Sequence, residues 1–262
     1  MSTYEDKHVK AAFQSVQDFY GTPESVSQYA KVARENGLYP PELAMVESFM
    51  APPATVLDVG CGAGREAFAL TRMGFSVTGV DITASLVAQA RALAADFGLN
   101  IPFHLGDGVS LDFAPESFDY VTLITQMIHH VPLRPNRERL FREAARVLKM
   151  EGTILLTYHD FDVQKDHQPW GWKKGRQRRA CEPESLPDTL RLLESGDYFT
   201  GDCQGHATAA LGFGHCFTRR EMEEEVVAAG LRIVDKAGFE TIAGGTPDTF
   251  WKPTQILVLK KT

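Results

Sequence analysis

The residues with the clearest capacity for chemistry form a glycine-rich loop, Asp58-Val-Gly-Cys-Gly-Ala-Gly-Arg65. The apolar run 55–59 predicts a strand before the loop, and the residues from Arg65 onward predict a helix after it. Glycine allows a tight turn and lets a ligand approach the backbone without a Cβ clash. A strand, a glycine loop and a helix in this order predict a ligand-binding turn, whereas a turn without a ligand is the alternative.

The acid at the end of this strand indicates which ligand the loop suits. In the dinucleotide-binding pattern the last small residue packs the helix on the strand, but that position holds Arg65 here and the third glycine, Gly64, falls one residue early. No Gly-Lys-Ser/Thr follows, which excludes a phosphate-binding P-loop. Asp58 would repel a pyrophosphate and attract an ammonium or sulfonium group. The loop therefore favours a positively charged nucleoside.

Two more aspartates follow the next predicted strands. Asp81 ends the second strand, 21 residues after Gly60, where an acid can accept both ribose hydroxyls. Asp107 ends the third strand and is placed to accept from an adenine amino group. Aspartate at a strand end is also common as a turn or cap residue. Three acids at three successive carboxyl ends nevertheless predict a shared site, because ligands of open α/β sheets bind there.

Three histidines are candidate general bases. His129 and His130 directly follow the fourth predicted strand, 118–124, and His159 follows the fifth, 153–158. Imidazole titrates near neutral pH, which suits it to take a proton from an acceptor. The alternative is that one of them only caps or packs its loop. Tyr158 ends the fifth predicted strand, next to His159, and we expect it to contact a substrate.

Strands alternating with helices predict an α/β fold with a mostly parallel sheet and right-handed crossovers. Val9, Phe13 and Val16 have helical spacing, and further helices are predicted after Pro23 and Pro40. Thr218 with Glu221 forms a capping-box signature for a late helix. The predicted units are a helical cap (1–50), a ligand-binding α/β core (51–160), an insert expected to act as a lid (161–216), and a closing helix with strands 231–234 and 255–259 (217–262).

Composition restricts the class of protein. The chain has 262 residues, of which 44% are hydrophobic, so it can bury a sizeable core. It contains no apolar run of ~18 residues and no apolar leader, which predicts a cytoplasmic protein without a membrane span. Four irregularly spaced cysteines predict reduced thiols. A net charge of −7 argues against a dedicated nucleic-acid binder without excluding one.

One stretch of the chain is basic although the net charge of the whole chain is negative. Residues 170–179 carry five basic side chains together with Trp170 and Trp172, and no acid. They fit an anionic substrate or RNA, through charge and ring stacking, or simply a solvated loop. Cys203-x-x-His206 and His215-Cys216 suggest a metal, but adjacent residues project apart and no second paired spacing exists. No metal is expected.

Residues 54–160 resemble the core of class I S-adenosyl-L-methionine (SAM)-dependent methyltransferases. The matching motifs are Val-Leu-Asp-Val-Gly-Cys-Gly-Ala-Gly, Gly-Val-Asp-Ile-Thr, Gly-Asp-Gly, Phe-Asp-Tyr-Val-Thr-Leu-Ile and Arg-Val-Leu-Lys-Met-Glu-Gly-Thr-Ile-Leu-Leu. As a set they are specific, and they cover less than half of the chain. The resemblance implies a Rossmann-like, seven-stranded, mostly parallel sheet whose last strand, 255–259, runs antiparallel.

The resemblance also implies roles for individual residues. The glycines of the loop would face the methionine part of SAM, Asp81 would bind the ribose, and Ile82 would pack on the adenine. The implied cofactor-binding residues are Asp58, Gly60, Cys61, Gly62, Gly64, Asp81, Ile82, Asp107, Gly108, Thr125 and Gln126. The candidate substrate contacts are Tyr20, Tyr29, Tyr158, Trp170 and Trp172, although aromatic residues at helical spacing are often core.

These residues predict an enzyme that methylates an oxygen, nitrogen or carbon of a small molecule and releases S-adenosyl-L-homocysteine (SAH), as a monomer or homodimer. A tRNA wobble-uridine methyltransferase is the first alternative, because the Ile-His-His segment resembles that group and the basic stretch could hold RNA. An arsenite methyltransferase using Cys61, Cys203 and Cys216, and a SAM-binding protein without activity, are the others.

Overall fold

Seven strands form one sheet in the computed structural model, which describes residues 6–161, 186–200, 210–238 and 254–262. They are β1 (Thr55–Val59), β2 (Ser76–Asp81), β3 (Phe103–Leu105), β4 (Phe118–Leu123), β5 (Leu148–His159), β8 (Leu231–Gly238) and β9 (Thr254–Lys261), in the order β3-β2-β1-β4-β5-β9-β8. The five strands β1–β5 pair in parallel, and β9 is antiparallel to β5 and β8. The predicted α/β fold with an antiparallel last strand is confirmed.

Helices occupy the connections and the N-terminal segment. They are α1 (Lys7–Tyr20), α2 (Pro23–Glu35), α3 (Pro40–Phe49), α4 (Arg65–Arg72), α5 (Ala84–Asp96), α6 (Arg134–Val147) and α7 (Arg219–Ala228), with a 3₁₀ turn at Met127–His130. The Asp6 side chain accepts from the His8 N–H at the start of α1, and the Thr22 hydroxyl accepts from the Ser25 N–H at the start of α2. Such N-caps satisfy backbone donors that the first helical turn leaves unpaired.

The core lies on both faces of the sheet because successive strand residues point to opposite sides. Val56 of β1 packs with Phe68 of α4 and Phe103 of β3 on one face. Leu57, the next residue, packs on the other face with Phe141 of α6. These contacts hold β1 and α4 in the core, and the glycine loop joins the two elements directly.

A second, two-stranded sheet was not predicted. Strands β6 (Asp197–Thr200) and β7 (Gly212–His215) pair antiparallel, and α1 packs against β7. Phe199 of β6 and Phe213 of β7 pack in one apolar cluster with Ala12 and Val16 of α1. Glycine weakens strand signals in a sequence, but here Gly212 is needed because the Phe19 ring occupies the place of a Cβ.

Element ends differ from the predictions in two places. Strand β5 begins at Leu148 rather than Thr153, because Leu148 pairs with Phe118 before the register shifts. Helix α6 begins two residues before the predicted Asn136, after Leu133 at φ 67°. Within the described residues, every helix is too short or too polar to cross a membrane.

Candidate functional site

The glycine loop has left-handed backbone at each of its three glycines, and Gly60 and Gly64 are needed for steric reasons as well. Gly60 has φ 80°, and a Cβ there would lie 2.7 Å from the Cβ of Met127. Gly64 has φ 94°, and a Cβ there would lie 2.6 Å from the Phe68 ring. These two glycines therefore let the loop pack closely on β4's exit loop and on α4.

Gly62 is the glycine with room around it. A Cβ there would meet only the Tyr29 ring, at an ordinary 3.6 Å, so its φ of 53° is what requires glycine. The Gly62 N–H donates to Asp81 Oδ2 at 2.9 Å, and the Thr83 N–H donates to Asp81 Oδ1 at 2.8 Å. Burial raises the pKa of Asp81. The Thr83 side chain also bonds Asp81, so about one of the roughly four acceptor positions of the carboxylate remains for a ribose hydroxyl.

Asp58 is buried at the end of β1 and only half satisfied. Its Oδ1 accepts from the Thr122 hydroxyl at 2.9 Å, whereas Oδ2 has no hydrogen-bond partner among the described residues. Burial, and next the charge of Glu66, raise the pKa of Asp58 to about 8. An unpaired buried acceptor is costly, and such groups call for an explanation. A ligand ammonium group beside the glycine loop would supply the missing donor.

A buried ionic cluster, the Arg65 cluster (Glu42, Arg65, Glu66 and Thr125), lies next to Asp58. Arg65 Nη1 donates to Glu42 Oε2 at 2.7 Å, and Nη2 donates to Glu66 and, at 2.8 Å, to the Thr125 hydroxyl. Arg65 is 6% exposed and Glu42 is fully buried. Burial raises the pKa of Glu42, which disfavours its charged form. When both acids are ionised they outnumber the one base, and the cluster then has a surplus negative charge that favours a cationic ligand.

Sequence reasoning missed Glu42 and Glu66. Glu42 follows Pro40-Pro41, and its carboxylate accepts from the Tyr39 N–H at 2.8 Å, so the only local signal was that of a helix cap. Its second partner, Arg65, lies 23 residues further along the chain. For Arg65 the sequence indicates only a departure from the dinucleotide-binding pattern and does not predict its buried ion pairs.

The loop after β4 has strained backbone at Thr125 and Gln126, with φ values of 54° and 57°. A β-branched residue with positive φ is a genuine outlier, and such strain costs about 1–3 kcal/mol per residue. The Thr125 hydroxyl in the Arg65 cluster and a 3.2 Å bond from the Gln126 N–H to Thr157 Oγ1 offset that cost. The strained turn holds Met127 against Gly60, beside the predicted methyl-transfer position.

Both ring nitrogens of His129 are bound to backbone groups. The carbonyl of His215 can only accept, so His129 Nδ1 donates to it, at 2.6 Å. Nε2 is then the acceptor for the His159 N–H, at 2.9 Å. Burial lowers the pKa of His129 well below its ordinary value. In this geometry His129 holds its loop to neighbouring strands, and neither nitrogen is available to take a substrate proton.

His159 lies next to His129, with their ring centroids 5.5 Å apart. Burial lowers the pKa of His159 to about 4, so its ring is neutral at physiological pH. Its role as a base stays a prediction.

His130 differs from both because its second nitrogen meets a side chain. Its Nδ1 lies 2.9 Å from the Phe213 carbonyl on β7, and its Nε2 lies 2.8 Å from the Tyr20 hydroxyl on α1. The Tyr20 ring also contacts the Tyr29 ring edge to face, with centroids 5.7 Å apart. Two predicted substrate contacts and one predicted base thus lie together, and the Tyr29 ring connects them to Gly62.

Other predicted cofactor contacts have local roles of their own. Asp107 Oδ1 accepts from the N–H groups of Val109 and Ser110 at 3.0 and 3.2 Å, as a turn residue does. Gly108 has φ 74°, and Ile82 is partly buried against the core. Gly106 donates to the Asp81 carbonyl at 2.9 Å, so the Asp107 loop starts beside the ribose-binding candidate.

Two more of the predicted site residues have buried side chains. Tyr158 is 1% exposed within the apolar core, where its ring faces Phe217, so contact with a substrate would require repacking. Cys61 is buried, and burial raises its thiol pKa well above the ordinary value. Burial also raises the pKa of Cys216, to about 12, which disfavours a thiolate site for arsenite. Trp170, Trp172, Cys203 and His206 lie outside the described residues.

One acidic group with metal-ligand composition lies near β6 and β7. Ligand atoms of Glu194, Asp197 and His215 lie within 4.8 Å of one another. His215 Nδ1 bonds Asp197 at 2.6 Å, its Nε2 bonds Glu221 at 3.0 Å, and Glu194 pairs with Arg137 at 2.9 Å. Because these atoms already have partners and a guanidinium lies among them, the group is an ion-pair network within the protein.

Comparisons with known proteins agree on the core. Residues 56–152 match the family model described as a methyltransferase domain. The methyltransferase GfsG of Streptomyces halstedii is 38% identical over 104 residues, which are 38% of this chain and 36% of that protein. The ubiquinone biosynthesis O-methyltransferase of Xanthomonas campestris pv. campestris is 35% identical over 124 residues, 47% of this chain and 50% of that protein. The match thus spans half or less of these relatives.

A solved structure extends the similarity of fold to the whole chain. The Burkholderia thailandensis 1,6-didemethyltoxoflavin-N1-methyltransferase, solved with 1,6-didemethyltoxoflavin and SAH bound, superimposes with a TM-score of 0.63. The alignment covers 100% of this chain and 93% of that one at 18% identity, which establishes the shared fold. The family match and the shared fold together confirm that the core resembles SAM-dependent methyltransferases.

Proposed function

We propose that this chain, whose residues 56–152 match a methyltransferase domain, transfers a methyl group from SAM to an oxygen, nitrogen or carbon of a small-molecule acceptor. The observation that carries the proposal is Asp58 Oδ2, a buried acceptor without a partner among the described residues, at the foot of the glycine loop. The ammonium group of SAM suits that oxygen because it favours the ionised form of Asp58, and that ionised form would repel a nucleotide phosphate.

The residues present fit this cofactor. Asp81 keeps an acceptor position for a ribose hydroxyl, and Asp58, once ionised, can accept from the ammonium group. When bound, SAM supplies an activated methyl group and a leaving group that departs as a neutral thioether. The protein then has to align an acceptor, exclude water and, where the acceptor is protonated, remove a proton.

A small acceptor is favoured by the surroundings of Tyr20 and His130. Tyr20 packs against an apolar cluster that contains Phe213, and Leu211 and Ile82 pack against the same cluster. Such neighbours suit a largely apolar molecule with a few polar groups. Two similar proteins, a ubiquinone biosynthesis O-methyltransferase and a 1,6-didemethyltoxoflavin-N1-methyltransferase, also support a small acceptor.

Calorimetry with SAM, SAH, NAD and ATP tests the cofactor. We expect binding of SAM and SAH alone, and a 10- to 100-fold weaker affinity for Asp81→Ala, which corresponds to loss of charged hydrogen bonds worth about 1–3 kcal/mol. Asp96→Ala is the matched control, because Asp96 lies on the surface of α5 and is 55% exposed. Tight binding of NAD or ATP, or unchanged SAM affinity in Asp81→Ala, would contradict this assignment.

Methyl transfer is measured with radiolabelled SAM and a panel of phenols, carboxylic acids, amines and heterocycles, alongside bulk tRNA. Label in an extracted small molecule is the expected result. Salt-sensitive tRNA retention with label in the RNA would instead support the alternative prediction. Tight SAM binding without transfer to any acceptor would point to a SAM-binding protein without this activity.

A further inference from the structure

A tyrosine on α1 and a histidine after β4 are joined by a side-chain hydrogen bond that links two separate parts of the chain. The Tyr20 hydroxyl lies 2.8 Å from His130 Nε2, and the two rings meet edge to face with centroids 5.0 Å apart. Tyr20 lies 110 residues before His130. Neither residue is an ordinary core group, because each remains partly exposed.

The direction of this hydrogen bond follows from the other side of the imidazole. The Phe213 carbonyl, 2.9 Å from Nδ1, can only accept, so Nδ1 carries a proton. Burial lowers the pKa of His130, which keeps the ring neutral at physiological pH. A neutral ring with its proton on Nδ1 has a lone pair on Nε2, and the Tyr20 hydroxyl therefore donates to it.

As in a catalytic triad, a hydroxyl donates to an imidazole whose orientation and tautomer are set by a third group. A backbone carbonyl fixes the tautomer of the imidazole, the imidazole accepts from a hydroxyl, and the hydroxyl is polarised toward proton loss. The Phe213 carbonyl belongs to β7, whose neighbouring His215 carbonyl fixes His129 in the same way. Two carbonyls of one short strand thus orient both histidines of the loop.

The Tyr20 ring is linked to the glycine loop through one other ring. It contacts the Tyr29 ring, and the Tyr29 ring lies against Gly62. Tyr20 also packs against an apolar cluster that contains Val16 and Phe213. A neutral hydroxyl compound suits apolar neighbours better than a charged one, because burying an unpaired charge is costly.

We propose, on the basis of the proposed methyltransferase function, that Tyr20 and His130 form a proton-relay dyad and that the acceptor is a hydroxyl compound that is still protonated at neutral pH. The acceptor O–H proton moves to Tyr20 Oη while the Tyr20 proton moves to His130 Nε2. The acceptor oxygen forms a bond to the methyl carbon as the carbon–sulfur bond breaks, and that electron pair stays on sulfur. The imidazolium keeps the proton on Nδ1, which donates to the Phe213 carbonyl, and later loses the Nε2 proton to solvent.

The hydrogen bond is tested without any turnover by NMR of the full chain labelled with ¹⁵N-histidine. We expect His130 to show the Nδ1–H form with a hydrogen-bonded Nε2. In Tyr20→Phe, the Nε2 signal should shift toward that of an unbonded acceptor, whereas His129 should keep its signals. Tyr120→Phe is the matched control, because its hydroxyl bonds the Ala51 N–H at 3.2 Å instead. An unchanged His130 spectrum in Tyr20→Phe overturns the dyad.

Kinetics with a hydroxyl acceptor found in the panel test the relay itself. Tyr20→Phe and His130→Gln should each lower kcat by about 10²–10⁴-fold at saturating SAM, the range of general acid–base catalysis. The double variant should be no slower than the slower single variant, because the two residues act as one unit. The fall of kcat toward acid, which reports protonation of His130, should disappear in Tyr20→Phe.

The outcomes separate this inference from the function on which it rests. SAM affinity should stay within about two-fold in both variants, since neither residue contacts Asp58 or Asp81. Failure of the wild-type chain to bind SAM overturns the proposed function and the dyad together. Normal wild-type transfer with full turnover in Tyr20→Phe, or additive losses in the double variant, overturns the dyad alone.

Discussion

Asp58 shows how a single buried acid links the electrostatics of the loop to the ligand that the loop suits. One carboxylate oxygen is bound to Thr122, the other has no partner among the described residues, and the pKa is raised to about 8 by burial first and by Glu66 second. At neutral pH the free protein therefore keeps a proton on Asp58. A ligand ammonium favours the ionised form, so cofactor binding is coupled to release of that proton.

The first prediction concerns this proton. Between pH 6 and 8 we expect SAM affinity to rise with pH by up to about 10-fold per unit and to level off above the pKa of Asp58, because one proton is released on binding below it. Calorimetry in buffers of different ionisation enthalpy measures the proton directly. The same acid lowers the free energy of unfolding as pH rises from about 4 to 8, since the unfolded chain has already lost the proton there.

Asp58→Asn is the control for that coupling. The variant keeps the size of the side chain and removes its charge, so its SAM affinity should be lower and independent of pH in this range. A pH dependence that persists in Asp58→Asn would assign the proton to another group.

The sequence predicted Asp58 and Asp81 because their positions follow from the strands that carry them. The packing around His129 and Tyr158 could not be predicted in this way. The His129 partner, the His215 carbonyl, lies 86 residues away on a strand with no clear sequence signal. Tyr158 follows the alternation of β5 into the core, and only the sheet's final packing shows that this face is covered.

At the scale of elements, α6 and α7 are joined by a buried ion pair that also reaches the small sheet. Arg137 on α6 and Glu225 on α7 are both fully buried and 2.6 Å apart. Arg137 also pairs with Glu194, just before β6, at 2.9 Å. The capping-box pattern predicted only part of the hydrogen bonding of Glu221. The Thr218 hydroxyl does accept from its N–H, as the capping box predicts, but the Glu221 carboxylate bonds His215.

The second prediction is that Arg137→Met lowers the free energy of unfolding by about 3–5 kcal/mol, because it leaves the Glu225 carboxylate buried without its partner. Denaturant titration followed by circular dichroism measures the change. Arg142→Met is the matched control on the same helix, since Arg142 is 52% exposed and its pair with Glu138 should contribute about 0.5 kcal/mol or less. Equal effects of the two substitutions would show that the buried pair has no special weight.

The alternating elements between 55 and 159 were predictable because hydrophobic period and turn residues agree with one another there. The β6–β7 sheet was not, because Gly212 and Gly214 interrupt any alternation and the pairing depends on α1. This sheet matters for the site, since its carbonyls bind His129 and His130.

At the scale of the whole molecule, the N-terminal helices share the core with the sheet. Val9 and Phe13 of α1 pack on the face that contains Leu57, while Met45 and Val46 of α3 pack on the opposite face. The division of the chain at residues 50 and 160 stays a prediction, but the N-terminal segment contributes apolar contacts to both layers. It also supplies Tyr20 and Glu42 to the site, so the contacts of the site form only when this segment is folded onto the core.

The last prediction tests that link through the Arg65 cluster. Glu42→Gln should lower the free energy of unfolding by about 1–3 kcal/mol, because Arg65 loses one charged partner and keeps the other, Glu66. It should also weaken SAM binding, since the cluster loses its surplus negative charge beside Asp58. Glu47→Gln on the same helix is the control, because Glu47 is exposed. If Glu42→Gln weakened SAM binding with no loss of stability, the pair would serve the ligand alone; if neither changed, the N-terminal segment would be held to the core by its apolar contacts.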